Sequence, residues 1–274
     1  AHGRPTRRRG LGVIMKSDEL VSPGMVPAAD RKSAWPARLD LAQGVSGFFL
    51  ALFVAFHLLL ESSILISLDA MYRVTKTFEG LYLFDQPYPI IVSVMALGVF
   101  AVFVLHATLA LRKFPNGYRQ YQAFKRHRRR LRHTETGLWM VQVHTGFALF
   151  FLGSAHLLFM LVNPSAIGPY ASADRVWGGM WPLYLLLLIA VVAHAGIGIF
   201  RLAVKWNGFW KPDGAGPSRS AWLHVTHGVI GGFLLLGLVV LGAYMKVGYE
   251  HRELAGERYI PLATVAAGPS GTSP

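Results

Sequence analysis

Val99–Tyr121 reads VFAVFVLHATLALRKFPNGYRQY and closes an uncharged apolar run that begins at Ile90. The run stops at Leu111, where Arg112 and Lys113 follow. As a helix its 22 residues rise about 33 Å, enough for a bilayer core of roughly 30 Å. It carries one imidazole, His106, near its end. A histidine inside a membrane span is costly and needs a partner. In a dry helix bundle a metal is the partner that best uses a neutral imidazole nitrogen.

Outward from this run the pattern repeats. Apolar segments occupy about Leu41–Leu68 with His57 and Glu61, Gly137–Val162 with His144 and His156, Trp181–Phe200 with His194, and Trp222–Met245 with His224 and His227. The chain is 53% hydrophobic and 15% charged, with a mean hydropathy of +0.40. These features predict an all-α integral membrane protein, a bundle of five transmembrane helices over residues 39–246. A basic segment, 1–38, precedes it, and 1–14 reads as an upstream extension. A polar tail, 247–274, follows and is expected to fray. The connector around Tyr72–Pro87 mixes aromatic and charged residues, which suggests an interfacial helix and a turn. Residues 163–180 read as a short Pro/Gly loop, and no internal repeat is evident. Cysteine is absent, which excludes disulfides, thiol catalysis and iron–sulfur ligation by this chain. The net charge of +13 lies between spans, so it points to anionic lipid or an acidic partner subunit rather than nucleic acid.

The charge asymmetry sets an orientation. The N-terminal segment, 112–135 and 201–221 hold 21 of the 27 lysines and arginines. The positive-inside rule places these segments and the N-terminus in the cytoplasm, and the C-terminus on the outward-facing side. Counting from the cytoplasmic ends of the spans, His106 and His194 lie about 8–9 Å deep, His57 about 24 Å and His156 about 29 Å. Two layers result. His57 and His156 alone form the outer one. The inner layer stays open, because His144 and His227 lie at similar depth to His106 and His194. Two axial imidazoles per layer would hold two six-coordinate haems, built for electron transfer rather than oxygen binding. His127, His133, His224 and His251 read as solvated or interfacial. Arg175 suits the propionates of an outer haem, and Arg201 and Lys205 those of an inner one. Gly153 and Gly198 suit the close approach of a flat macrocycle, and Gly146 with Gly153 a helix-packing face.

Two glutamates stand out on the outer side. Glu61 is well inside a span, one turn outward of His57, and Glu79 lies in the outer connector among aromatics. A quinol releases two electrons and two protons, so its site needs an electron acceptor nearby and a base. Both glutamates meet the second need.

At this point the chain resembles the dihaem cytochrome b subunits of quinol:fumarate and succinate:quinone reductases, over about Pro36–Lys246. The segments that carry the likeness are Pro36-Ala-Arg-Leu-Asp, Arg112-Lys-Phe-Pro-Asn-Gly-Tyr-Arg-Gln-Tyr, Thr145-Gly-Phe with Gly153-Ser-Ala-His, Trp181-Pro-Leu-Tyr and Arg201-Leu-Ala-Val-Lys-Trp. The resemblance implies two haem b groups, one on His57 and His156 and one on His106 and His194. His144 and His227 then become residues behind the ligands. It implies that Glu79 accepts a quinol proton; Glu61 departs from the family pattern, which has an apolar residue there, and reads as an auxiliary acceptor. It places Gln43, Trp139 and Lys205 near the inner propionates, and Arg175 and Tyr184 near the outer haem. Menaquinol is the implied substrate, with electrons passing from the distal to the proximal haem. The implied partners are an iron–sulfur subunit, an FAD-containing flavoprotein subunit that reduces fumarate, and a second heterotrimer. Some members carry a glutamate two residues before the ligand on span four; here that position is Val192. The same subunit running as a succinate:menaquinone reductase, an anchor of another respiratory dehydrogenase, and a haem-free transporter are the other readings.

Overall fold

Along α1 (Trp35–Glu61), large apolar side chains at 41, 45, 48, 52, 56 and 59 are exposed. They recur every three or four residues, so they form one stripe, facing lipid. The opposite face carries Gln43, Ser46, Gly47, His57 and Glu61. In hydrocarbon this inverted pattern is the stable one, because small and polar residues gain only from helix–helix contact. The same logic shapes the other long helices of this computed structural model, which describes residues 33–114, 117–120, 122, 134–210 and 217–262. The expectations for the N-terminal segment, for His127 and His133, and for the end of the tail fall outside these residues.

After α1 come a short 3-10 turn, α2 (Leu68–Phe78) and α3 (Leu81–Phe84). The long helices α4 (Ile90–Leu111) and α5 (Thr134–Val162) follow. Then come α6 (Pro169–Arg175), α7 (Trp181–Trp210) and α8 (Arg219–His251). Five of these helical stretches are long and apolar enough to cross a membrane. The run that opened the sequence reading is α4, with its ends where the charges put them. The expected loop at 163–180 is instead largely helical. Pro169 starts α6, and a π-helical turn, Val176–Met180, joins it to α7 through Gly179 at φ 114°, a conformation suited to glycine.

α4 packs between α1 and α5, α5 against α7, and α7 against α8, while α1 also meets α7. Two contacts show how tightly the bundle closes. Ser93 on α4 donates to the Leu161 carbonyl on α5 at 2.8 Å. A Cβ at Gly237 of α8 would run into Leu188 of α7.

α2 supplies a helix in the connector where one was expected. Ser67 caps it by accepting from the Ala70 amide at 3.0 Å, and Asp69 lies in its first turn, where negative charge is favoured. Up to Leu262 the segment after α8 is tied down, against the expected fraying. Gly256 N donates to Asp174 Oδ2 at 3.0 Å, Tyr259 Oη to Asp69 Oδ1 at 2.7 Å and Leu262 N to the same oxygen at 3.3 Å. Partial burial and the Asp69 carboxylate push the Tyr259 phenol up to about 12. Because the folded value is raised, this bond contributes fully below the ordinary value of 10.0 and is lost as pH climbs toward about 12. Asp69→Asn is expected to loosen the strap by about 1 kcal/mol per hydrogen bond. Amide exchange should quicken across 256–262 while that of mid-α8 stays unchanged.

Candidate functional site

His106 of α4 and His194 of α7 meet at the end of the bundle nearer Trp35, called inner here. Their ring centres are 6.4 Å apart and the rings are crossed at 89°. His57 of α1 and His156 of α5 meet toward the other end, at 6.3 Å and 45°. Two imidazoles each bound to one metal at roughly 2 Å would set their ring centres about 6 Å apart. Both pairs have that spacing. Of the candidates left open for the inner layer, His144 and His227 are exposed, and His144 Nδ1 donates to its own helix at Met140 O, 2.7 Å. They face away from the cavity, which corrects their expected place behind the ligands.

The inner rings are held from behind. His106 Nδ1 lies 3.2 Å from Gln43 O and 3.2 Å from Ser46 Oγ. His194 Nδ1 lies 2.9 Å from Gln142 O and 3.4 Å from Thr145 Oγ1. A carbonyl only accepts, so each Nδ1 carries the proton and each Nε2 keeps a free lone pair. Glycine admits the ring edges. A Cβ at Gly47 would stand 2.7 Å from His106 Cε1, and one at Gly146 would stand 3.1 Å from His194 Cε1.

These contacts expose a repeat that the sequence reading missed. Gln43-Gly-Val-Ser-Gly on α1 and Gln142-Val-His-Thr-Gly on α5 share the pattern Gln-x-x-Ser/Thr-Gly. Each Gln is followed 14 residues later by an outer histidine, His57 or His156. The signal lay in the sequence but has no meaning until the helices are paired. On both helices, ten residues separate the glycine from the outer histidine, placing the layers about 15 Å apart along the axis.

A continuous cavity of about 890 Å³ runs past all four histidines. Among the described residues no group of three or more His, Asp or Glu is placed to hold a bare metal ion. A metal that brings its own in-plane donors needs only two imidazoles, and haem does so. The inner end of the cavity is lined by Gln43, Trp139, Arg201 and Lys113, and the buried Gln43 Oε1 has no protein partner. Arg201 Nη1 donates to Gln142 Oε1 at 2.6 Å, and Lys113 pairs with Asp40 at 3.3 Å. These are cations suited to propionates. Lys113 lines the cavity and Lys205 does not, although both are exposed, so Lys113 joins the expected cations. At the outer end, Tyr184 lines the cavity with its ring 5.7 Å from that of His156. Arg175 reaches the site through Tyr184, donating to its hydroxyl at 2.8 Å. Gly198 is filled by Gln142, whose Nε2 would stand 3.2 Å from its Cβ.

Both outer carboxylates are enclosed. Glu79 is only 2% exposed. It ends α2, its carbonyl accepts from Tyr88 N at 2.7 Å, and its carboxylate takes Lys76 Nζ at 2.7 Å. Met71, Val74, Thr75 and Phe78, the α2 residues leading to it, line the cavity. Glu61 lines the cavity itself and accepts from Tyr244 Oη at 2.6 Å. His251, read from sequence as solvated, is only 5% exposed. Tyr170 stacks on it at 3.9 Å, and its Nδ1 donates to Asp174 Oδ1 at 2.8 Å.

Residues 118–235 match the succinate dehydrogenase/fumarate reductase transmembrane subunit family. The chain is 47% identical over 228 residues to the fumarate reductase cytochrome b subunit of Wolinella succinogenes, covering 81% of this chain and 87% of that one. It is 46% identical over 224 residues to the subunit of the same name from Helicobacter pylori, covering 81% and 86%. The paired geometry is checked by pyridine haemochrome quantitation. Two b haems per chain are expected, falling to one in His156→Ala and one in His194→Ala.

Proposed function

We propose a function from one premise: the chain belongs to the fumarate reductase cytochrome b subunits, the membrane subunits of an oxidoreductase complex. In this reading it anchors the complex in the bacterial inner membrane with its N-terminus in the cytoplasm, and carries electrons across. The observation that supports this most is the pair of two-histidine sites, spaced alike and stacked about 15 Å apart along α1 and α5.

His57 and His156 would hold an outer haem b and His106 and His194 an inner one. With two histidines to each group, haem held there would supply reversible one-electron transfer. The chain's own residues do the rest. Glu79, buried beside Lys76, takes a proton from menaquinol near the outer face. Lys76 holds the carboxylate in place and balances its charge while it is ionised. Glu61, bonded to Tyr244, is an auxiliary acceptor closer to His57. Arg201, Lys113 and the Gln43 amide meet the inner propionates, and Tyr184, backed by Arg175, meets the outer ones. The basic cytoplasmic side is where an iron–sulfur subunit would dock, with a flavoprotein beyond it that reduces fumarate. Two such heterotrimers would pair. The same residues serve succinate oxidation when the driving force reverses.

Val192, two residues before His194, is buried. Among the described residues that line the cavity, Glu61 is the one carboxylate. Among the described cavity-lining residues, then, no carboxylate stands beside the inner pair to carry protons inward with the electrons.

Glu79→Gln is expected to lower menaquinol-driven fumarate reduction by roughly 10²-fold or more. Reduction driven by a viologen dye, which bypasses the quinol, should persist. Equal loss of both activities would remove Glu79 from the quinol site. In proteoliposomes, menaquinol-driven turnover is expected to build a membrane potential, negative on the side where electrons arrive. Turnover without one would reveal an inward proton route.

A further inference from the structure

The geometry points to Ser46 and Thr145 as positioning residues that set the plane and donor strength of the inner imidazoles. They make the two redox centres of the chain electronically unlike. This rests on the haem reading of the histidine pairs.

The argument begins with one proton. Each hydroxyl has a single hydrogen, and in both residues a backbone carbonyl takes it. Ser46 Oγ donates to Gln43 O at 3.1 Å. Thr145 Oγ1 donates to Val141 O at 2.7 Å and lies 3.1 Å from Gln142 O. Toward the imidazole the hydroxyl can then only accept. Each inner Nδ1–H is thus shared between a carbonyl and a hydroxyl. Two acceptors behind one N–H draw the proton off the ring and strengthen Nε2 as a donor.

Orientation follows from the same contacts. One acceptor would let a ring rock about a single bond. Two acceptors, with the ring edge seated over Gly47 or Gly146, define a plane. α1 and α5 apply this cradle to rings on two different helices, and the result is the 89° crossing. The outer pair has no such cradle. His156 Nδ1 is buried without a hydrogen-bond partner. His57 stacks on Phe53 at 5.7 Å with the rings 5° apart, and the outer planes meet at 45°. Crossed axial imidazoles leave the iron orbitals that meet their π systems nearly equal in energy and give a strongly anisotropic ferric low-spin signal. Planes nearer parallel split those orbitals.

The test is potentiometry and low-temperature electron paramagnetic resonance on the purified complex, with Ser46→Ala and Thr145→Val. Weaker donors favour the ferrous state. One midpoint potential is therefore expected to move positive and one ferric signal to lose anisotropy, with the other haem unmoved. Ser46→Thr and Thr145→Ser keep the hydroxyl and should keep the parent potential and signal. Thr226→Val, removing a buried hydroxyl that donates to Trp222 O on α8, should change neither. If Ser46→Ala fails to assemble, Thr145→Val and the two hydroxyl-keeping variants carry the test. The proposal falls if both haems are present with unmoved potentials and signals. It also falls if hydroxyl-keeping variants shift as far as the others. A parent complex lacking b haem would instead overturn the haem reading beneath it.

Discussion

Everything in this bundle is arranged around imidazoles that have no water to turn to. A histidine buried among membrane helices must satisfy two ring nitrogens with what neighbouring helices supply. In the inner pair one nitrogen of each ring is met by a backbone carbonyl a helix away. Both rings line the cavity, their centres 6.4 Å apart. Ser46 and Thr145 sit three residues after the lending carbonyl, and the glycine that follows each of them admits the ring edge. The protein's chemistry and its packing are thus the same set of contacts.

That constraint explains the inverted faces. On α1 the bulky apolar residues point out, and the inward face is left to Gln43, Ser46, Gly47, His57 and Glu61. α5 repeats the arrangement with Gln142, Thr145, Gly146 and His156. A small residue inward lets helices and rings approach, and a polar residue inward finds a partner that lipid cannot give. Elsewhere the bundle closes on glycine alone, as at Gly237 against Leu188.

The outer side is built differently. Several of its polar pairs use the short elements: Lys76 with Glu79 on α2, Arg175 of α6 with Tyr184 of α7, and Asp69 of α2 with Tyr259 in the strap. Groups that must exchange protons need such a position, near water yet enclosed. Membership of the fumarate reductase cytochrome b family fits this division into a rigid membrane core and a polar outer cap. It removes the haem-free transporter from the earlier readings.

The sequence by itself determined the five spans, the end points of α4, a helix in the connector after the first span and the two depths at which histidines occur. These follow from helix rise and from the cost of charge in hydrocarbon, which are local and additive. It could not separate His106 and His194 from His144 and His227, because depth says nothing about which face of a helix a residue occupies relative to its neighbours. Nor could it tell that His251 is buried, that Lys113 rather than Lys205 lines the cavity, or that Glu79 is enclosed. Those facts depend on which helices touch, and only the tertiary structure decided that, by bringing α1 to α4 and α5 to α7 so that two short repeats of Gln, Ser or Thr, and Gly close on two imidazoles.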